Sequence, residues 1–161
     1  MAATHTSETG VPTEVWASYY QTITDQLETL NAKMGVTDGS EATAGQIGEY
    51  LTQTGSASLV TNTTATVATL TLTAGDWDVS GGVTFTITSA ASSIYAAGID
   101  GVLGQEIIAT IPTGSGSWAL SAGPPVRRNV TASTAVTLVA MARFTSGTVS
   151  AAGTISARRM R

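Results

Sequence analysis

Six apolar residues, Trp16, Tyr20, Ile23, Leu27, Leu30 and Met34, fall at alternating steps of four and three along residues 13–34. That spacing predicts an amphipathic helix with an a/d heptad seam. Thr13 is placed to cap its start after Pro12, and Gly35 to end it. Two arrangements satisfy the seam. The helix can lie on its own domain, or it can pair with other copies as a short parallel coiled coil. In the second case Tyr20, Leu27 and Met34 take a, and Trp16, Ile23 and Leu30 take d. Leu at a beside Ile at d leans toward trimers or tetramers. The e and g positions (Ala17, Tyr19, Thr24, Gln26, Asn31, Lys33) offer almost no ion pairing, so a coiled coil here needs a second contact downstream.

Beyond residue 45 the period changes to two. Trp77, Val79, Gly81, Val83, Phe85 and Ile87 alternate with Asp78, Ser80, Gly82, Thr84, Thr86 and Thr88, the pattern of a long half-buried strand. Leu70 and Leu72 alternate with threonines before it, and Ala74-Gly75-Asp76 marks a turn. Val136, Leu138, Ala140, Ala142 and Phe144 alternate with a second face that is partly apolar, as in a strand covered on both sides. Ser146-Gly147 leads into Val149, Ala151, Gly153, Ile155 and Ala157. Shorter candidates cover 46–53, 57–61, 94–99, 106–111, 117–120 and 126–131, with a turn in AGIDGVLG and a loop at GSGS (114–117). Eight or nine short strands without helical period predict a mainly β fold, an antiparallel jelly roll or β-sandwich head behind a short N-terminal coiled-coil helix. The expected divisions are a flexible docking arm (1–12), a stem helix (13–34), a linker (35–44) and the head (45–161).

Composition narrows the chemistry. Only 11% of the 161 residues are charged, while 42% are hydrophobic, so the chain has material for a core and little in common with disordered sequences. Cysteine is absent, which removes disulfides, thiol catalysis and cysteine-ligated metals. The one histidine, His5, lies in the N-terminal arm, so no Ser–His–Asp or Cys–His arrangement is in view. Asp76 and Asp78 share a strand face, and the plainer reading is a turn acid followed by a solvent-facing one rather than a catalytic or calcium pair. No metal, cofactor or enzymatic activity is expected. Residues 1–56 hold seven acids and one lysine, whereas 57–161 hold four acids and six arginines. Neither part has the basic stripe of a nucleic-acid binder. Arg158, Arg159 and Arg161 are instead candidates for ion pairs with Asp76 and Asp78, within the head or between subunits. Trp118 and Tyr95 are candidate surface contacts for a ligand such as a glycan. No basic, apolar signal and no membrane-length apolar run is present, so the expectation is a protein made in the cytoplasm without membrane attachment.

Four stretches carry a resemblance: GQIGEYL (45–51), LTLTAGDWDVSGGVTFT (70–86), PPVRRNVTASTAVTLVAMARF (124–144) and GTISARRMR (153–161). Together they resemble short fibre and decoration proteins of tailed bacteriophages. The resemblance covers the head and not the arm or helix. It implies a jelly-roll-like head that trimerises and a non-enzymatic place on the virion surface. With a short stem, the implied role is a homotrimeric capsid-decoration or head-fibre protein gripping the capsid, or another virion protein, through its N-terminal segment. The alternative is a receptor- or glycan-binding tip on the tail apparatus.

Overall fold

The computed structural model describes residues 13–35 and 40–161, with the side chains of 13, 32–34 and 105–113 left aside. The docking arm (1–12), linker residues 36–39 and the side chains of Met34 and Glu106 therefore lie outside the described residues. One helix, α1 (Thr13–Met34), precedes seven strands. These are β1 (Tyr50–Ser58), β2 (Ala65–Leu72), β3 (Gly75–Ile99), β4 (Val102–Ser121), β5 (Val126–Val130), β6 (Thr134–Thr145) and β7 (Thr148–Arg159). The expected mainly β, antiparallel head behind a single helix is what the chain forms.

All seven strands belong to one antiparallel sheet, with the path β1-β7-β3-β6-β2 and with β4 and β5 on the other side of β3. The 25-residue β3 organises it. Its first half, Trp77 to Thr88, pairs with β7, and its second half, Ala91 to Ile99, pairs with β6. Between the halves the chain turns a corner, with left-handed backbone at Ser89 and, on the neighbouring strand, at Ser146 and Gly147. The sheet folds over there, so that Phe85 of the first half meets Tyr95 of the second edge to face, with ring centroids 5.1 Å apart.

Two expectations are corrected by this geometry. The chain does not reverse at Ser146-Gly147: β6 and β7 follow one another along the same side of β3, both antiparallel to it. The segments expected as separate short strands and a GSGS loop are instead one long hairpin of β3 and β4. Small residues at the corner relieve crowding without ending the strands, a choice that periodicity alone does not reveal. The hairpin tip is Asp100-Gly101, with φ of 54° and 77°, the two-residue turn whose twist matches the strands it joins.

The alternation sets the core. Trp77, Val79, Val83, Phe85 and Ile87 are buried from β3, Leu70 and Leu72 from β2, and Val136, Leu138, Ala140 and Ala142 from β6. Val139 on the second face of β6 is buried too, in keeping with a strand covered on both sides. Thr84 and Thr86 face solvent. Phe85→Ala should therefore lower stability by about 3–5 kcal/mol in urea titration, while Thr84→Ala should stay within about 0.5 kcal/mol. The reverse order would mean that the faces of β3 are assigned backwards.

Candidate functional site

Charge in the head gathers at one end, where the helix joins and the C-terminus finishes. Arg159, at the end of β7, is the centre. Its Nε donates to Glu49 Oε2 at 2.9 Å, Nη1 to the Ala74 carbonyl at 2.7 Å, and Nη2 to Thr73 Oγ1. The guanidinium also stacks over Trp77, 4.3 Å from the ring centroid, and the indole N–H of Trp77 donates to the Thr73 carbonyl at 3.0 Å. Both charged side chains are 6% exposed. Glu49 in turn accepts from the Gly45 amide at 2.7 Å. Gly75 is required here, because a Cβ on it would collide with the Arg159 guanidinium.

Asp76 forms a second, outer pair. Its carboxylate accepts two hydrogen bonds from Arg127 and one, at 3.0 Å, from Arg161 Nε. The Arg127 hydrogen bond leads in holding the Asp76 carboxyl down at about 2, below the ordinary 3.8, against the opposing effect of burial. The same contact pushes the pKa of Arg127 up. Arg128 pairs with Asp100 at 2.8 Å, and Asp100 also accepts from the Thr137 amide, which pins the tip of the β3–β4 hairpin to β6. Arg158 lies opposite Asp78 in register but makes its described contact with the Tyr50 ring, at 5.9 Å. The backbone closes the end: Gly48 N–H donates to the Arg159 carbonyl, Arg159 N–H to Glu49, and Asp76 N–H to Arg161.

Arg159 and Arg161 thus make ion pairs within the head. Glu49 is the partner that pattern reading missed, since it precedes the first strand and counts with the acidic N-terminal part. Its signal was burial in an otherwise charge-poor head, which only the fold supplies.

Half of the stem seam is exposed: Tyr20, Leu27 and Leu30 are 62%, 56% and 54% exposed, while Trp16 and Ile23 are half-buried, and among the described residues α1 makes no extensive contact with a strand of the head. Trp16, Tyr19 and Tyr20 cluster with ring centroids 6.2 Å apart. Thr22, Thr24 and Thr29 bond back to carbonyls four residues earlier, a habit that favours helices little. Trp118 sits in β4 opposite Phe85 and is 46% exposed, on a strand rather than a loop. Tyr95 corrects the expectation placed on it: 2% exposed, with its hydroxyl bonded to Ser92 and its ring on Phe85, it is a core residue and offers a ligand nothing.

Among the described residues no group of three His, Cys, Asp or Glu side chains is placed to hold a metal ion. No described helix is long and apolar enough to cross a membrane. The hollow at the foot of the head, about 330 Å³, is lined by Ser40, Glu41, Ile47, Tyr50 and Arg158 among others.

No protein-family model matches the chain, and no curated protein matches it. Solved structures with partial similarity include that of infectious bursal disease virus Gx strain, at 16% identity and a TM-score of 0.43, covering 78% of this chain and 37% of that one. T=1 particles derived from infectious bursal virus give 15% and 0.44, over 78% and 35%. The infectious bursal disease virus VP2 subviral particle gives 12% and 0.36, over 78% and 36%. The chain therefore spans little more than a third of the length of those proteins.

Two outcomes follow from the base. Arg159→Met leaves the Glu49 carboxylate buried without its partner, so urea titration should show a loss of about 3–5 kcal/mol. The double variant Glu49→Gln/Arg159→Met should recover part of it. For Asp76 the folded state favours the ionised carboxylate, so its contribution is complete above the ordinary 3.8 and disappears as pH falls through about 2. Asp76→Asn should flatten the acid limb of the stability–pH curve in that window and leave the limb above pH 5 parallel to wild type.

Proposed function

We propose that the protein is a non-enzymatic structural component of a virus particle, a trimeric capsid-decoration or head-fibre protein displayed on the virion surface. The observation that carries this reading is the exposure of Tyr20, Leu27 and Leu30 on the heptad seam of α1, apolar side chains that their own head leaves more than half uncovered. Such a seam is stable in water once other copies cover it, and Leu27 at a beside Ile23 and Leu30 at d favours three. A cyclic trimer presents its three N-terminal arms at one point, where weak individual contacts add through high effective concentration. The head supports the reading from the other side. Most of its described charges pair at its own base, and its strands β1 and β2 are rich in Ser, Thr, Ala and Gly.

The resemblance to phage fibre and decoration proteins supports the same role, and the four stretches that carry it meet in the folded base. Glu49 comes from the first, Thr73, Asp76 and Trp77 from the second, Arg127 from the third, and Arg159 and Arg161 from the fourth. The division into arm, stem, linker and head follows, with the arm at 1–12 gripping the capsid. The alternative of a glycan-binding tip keeps Trp118 and loses Tyr95, which leaves a single aromatic platform.

Sedimentation equilibrium at micromolar concentration should return a mass near three chains, and a monomer would contradict the reading. A protein starting at residue 45 should keep its β spectrum yet fail to co-pellet with virions that lack the protein. If it pellets at full occupancy, the head is the anchor.

A further inference from the structure

Asp100-Gly101, at the tip of the β3–β4 hairpin, is one of two Asp-Gly pairs in the chain, the other being Asp38-Gly39 outside the described residues. An aspartate followed by glycine is open to a reaction within its own backbone. The glycine amide nitrogen attacks the side-chain carboxyl carbon, one carboxyl oxygen leaves as water, and a succinimide ring closes. Water then adds to a ring carbonyl. Addition at the former side-chain carbon restores aspartate. Addition at the main-chain carbon breaks its bond to nitrogen and leaves isoaspartate, with the chain running through the side chain. Glycine favours the first step because it has no side chain to shield its amide. Here nothing lies within 4 Å of where a Cβ on Gly101 would stand, and the Asp100 side chain is 30% exposed, so water reaches it.

The fold ties the reacting carboxylate down. Oδ2 accepts from Arg128 Nε at 3.0 Å and lies 2.8 Å from Arg128 Nη2. Oδ1 accepts from the Thr137 amide at 2.9 Å, and the Asp100 amide donates back to the Thr137 carbonyl at 2.9 Å. Both oxygens are thus held by groups on β5 and β6, outside the turn. Ring closure requires the carboxyl carbon to swing onto the Gly101 nitrogen and to give up one of these oxygens. The bonds from the guanidinium are charge-assisted and are the stronger tie.

We propose that Asp100-Gly101 is a site of spontaneous isoaspartate formation and that Arg128 is the residue that holds the reaction in check. The product has one more atom in its main chain and its carboxylate on a different carbon. A two-residue tip closed by the Ile99–Val102 pair has no slack for that atom, so the tie to Thr137 goes with it. The chemistry is independent of the role proposed above.

The test incubates the full chain at neutral pH for several weeks. Isoaspartate is counted by methyl transfer from S-adenosylmethionine with an isoaspartyl methyltransferase, and placed by peptide mapping. A synthetic peptide of residues 94–107 gives the rate without the ties. Wild type should convert Asp100 severalfold more slowly than the peptide. Arg128→Gln should raise the rate severalfold toward the peptide's, and Arg128→Lys, which keeps the charge and loses the fork, should fall between. Ile155→Val loosens the core on β7 with Arg128 intact, and should convert at the wild-type rate. Wild type converting as fast as the peptide, or Arg128→Gln no faster than wild type, overturns the proposal. So does Ile155→Val converting as fast as Arg128→Gln, since loosening of the fold then accounts for both. If Arg128→Gln fails to fold, Arg128→Lys carries the same comparison.

Discussion

A single guanidinium holds the two ends of the head together. Arg159 reaches Glu49 ahead of β1, Thr73 and Ala74 between β2 and β3, and the face of Trp77 at the start of β3. Three segments distant in sequence, at Glu49, at 73–77 and at the end of β7, thereby share one buried cation. Burying an ion pair is costly, and what offsets it is complete satisfaction: Nε, Nη1 and Nη2 each donate, and Glu49 also accepts from Gly45. The arrangement favours one register of β7 against β3. A slip of one residue would bring Arg158 or Met160 under Trp77 and turn every inward side chain of β7 to solvent.

The alternation in β3, β6 and β7 made the core legible from the sequence, because a half-buried strand must repeat every two residues. The Asp100-Gly101 tip was legible as a turn for the same kind of local reason. What was not legible depends on contacts between distant segments. Ser89 and Ser146-Gly147 look like turn residues, and they serve as a corner because β6 and β7 both lie along β3. Tyr95 opens a stretch of small residues and looked exposed, but the fold-over places Phe85 against it. Glu49 belonged by sequence to the acidic N-terminal part, and only the closing of β1 on β7 gives it to Arg159.

Charge economy links this architecture to the proposed role. Ion pairs at the base consume Glu49, Asp76 and Asp100, and among the described head residues the charges outside those pairs are Asp78, Arg143 and Arg158. The head is thus joined to a helix whose Tyr20, Leu27 and Leu30 are exposed, an apolar surface that, on the proposed reading, other copies of the chain cover. The aromatic residues divide accordingly: Trp77, Phe85 and Tyr95 build the interior, while Tyr19, Tyr20 and Trp118 are exposed.

Amide hydrogen exchange on Arg159→Met beside wild type tests the clasp most directly. If Arg159 holds the base as a unit, the amides of Gly48, Asp76, Arg159 and Met160 should lose protection together, and further than those of Leu59 and Asn62 at the far corner. Unchanged protection at the base, or an equal loss at both ends, would contradict the account.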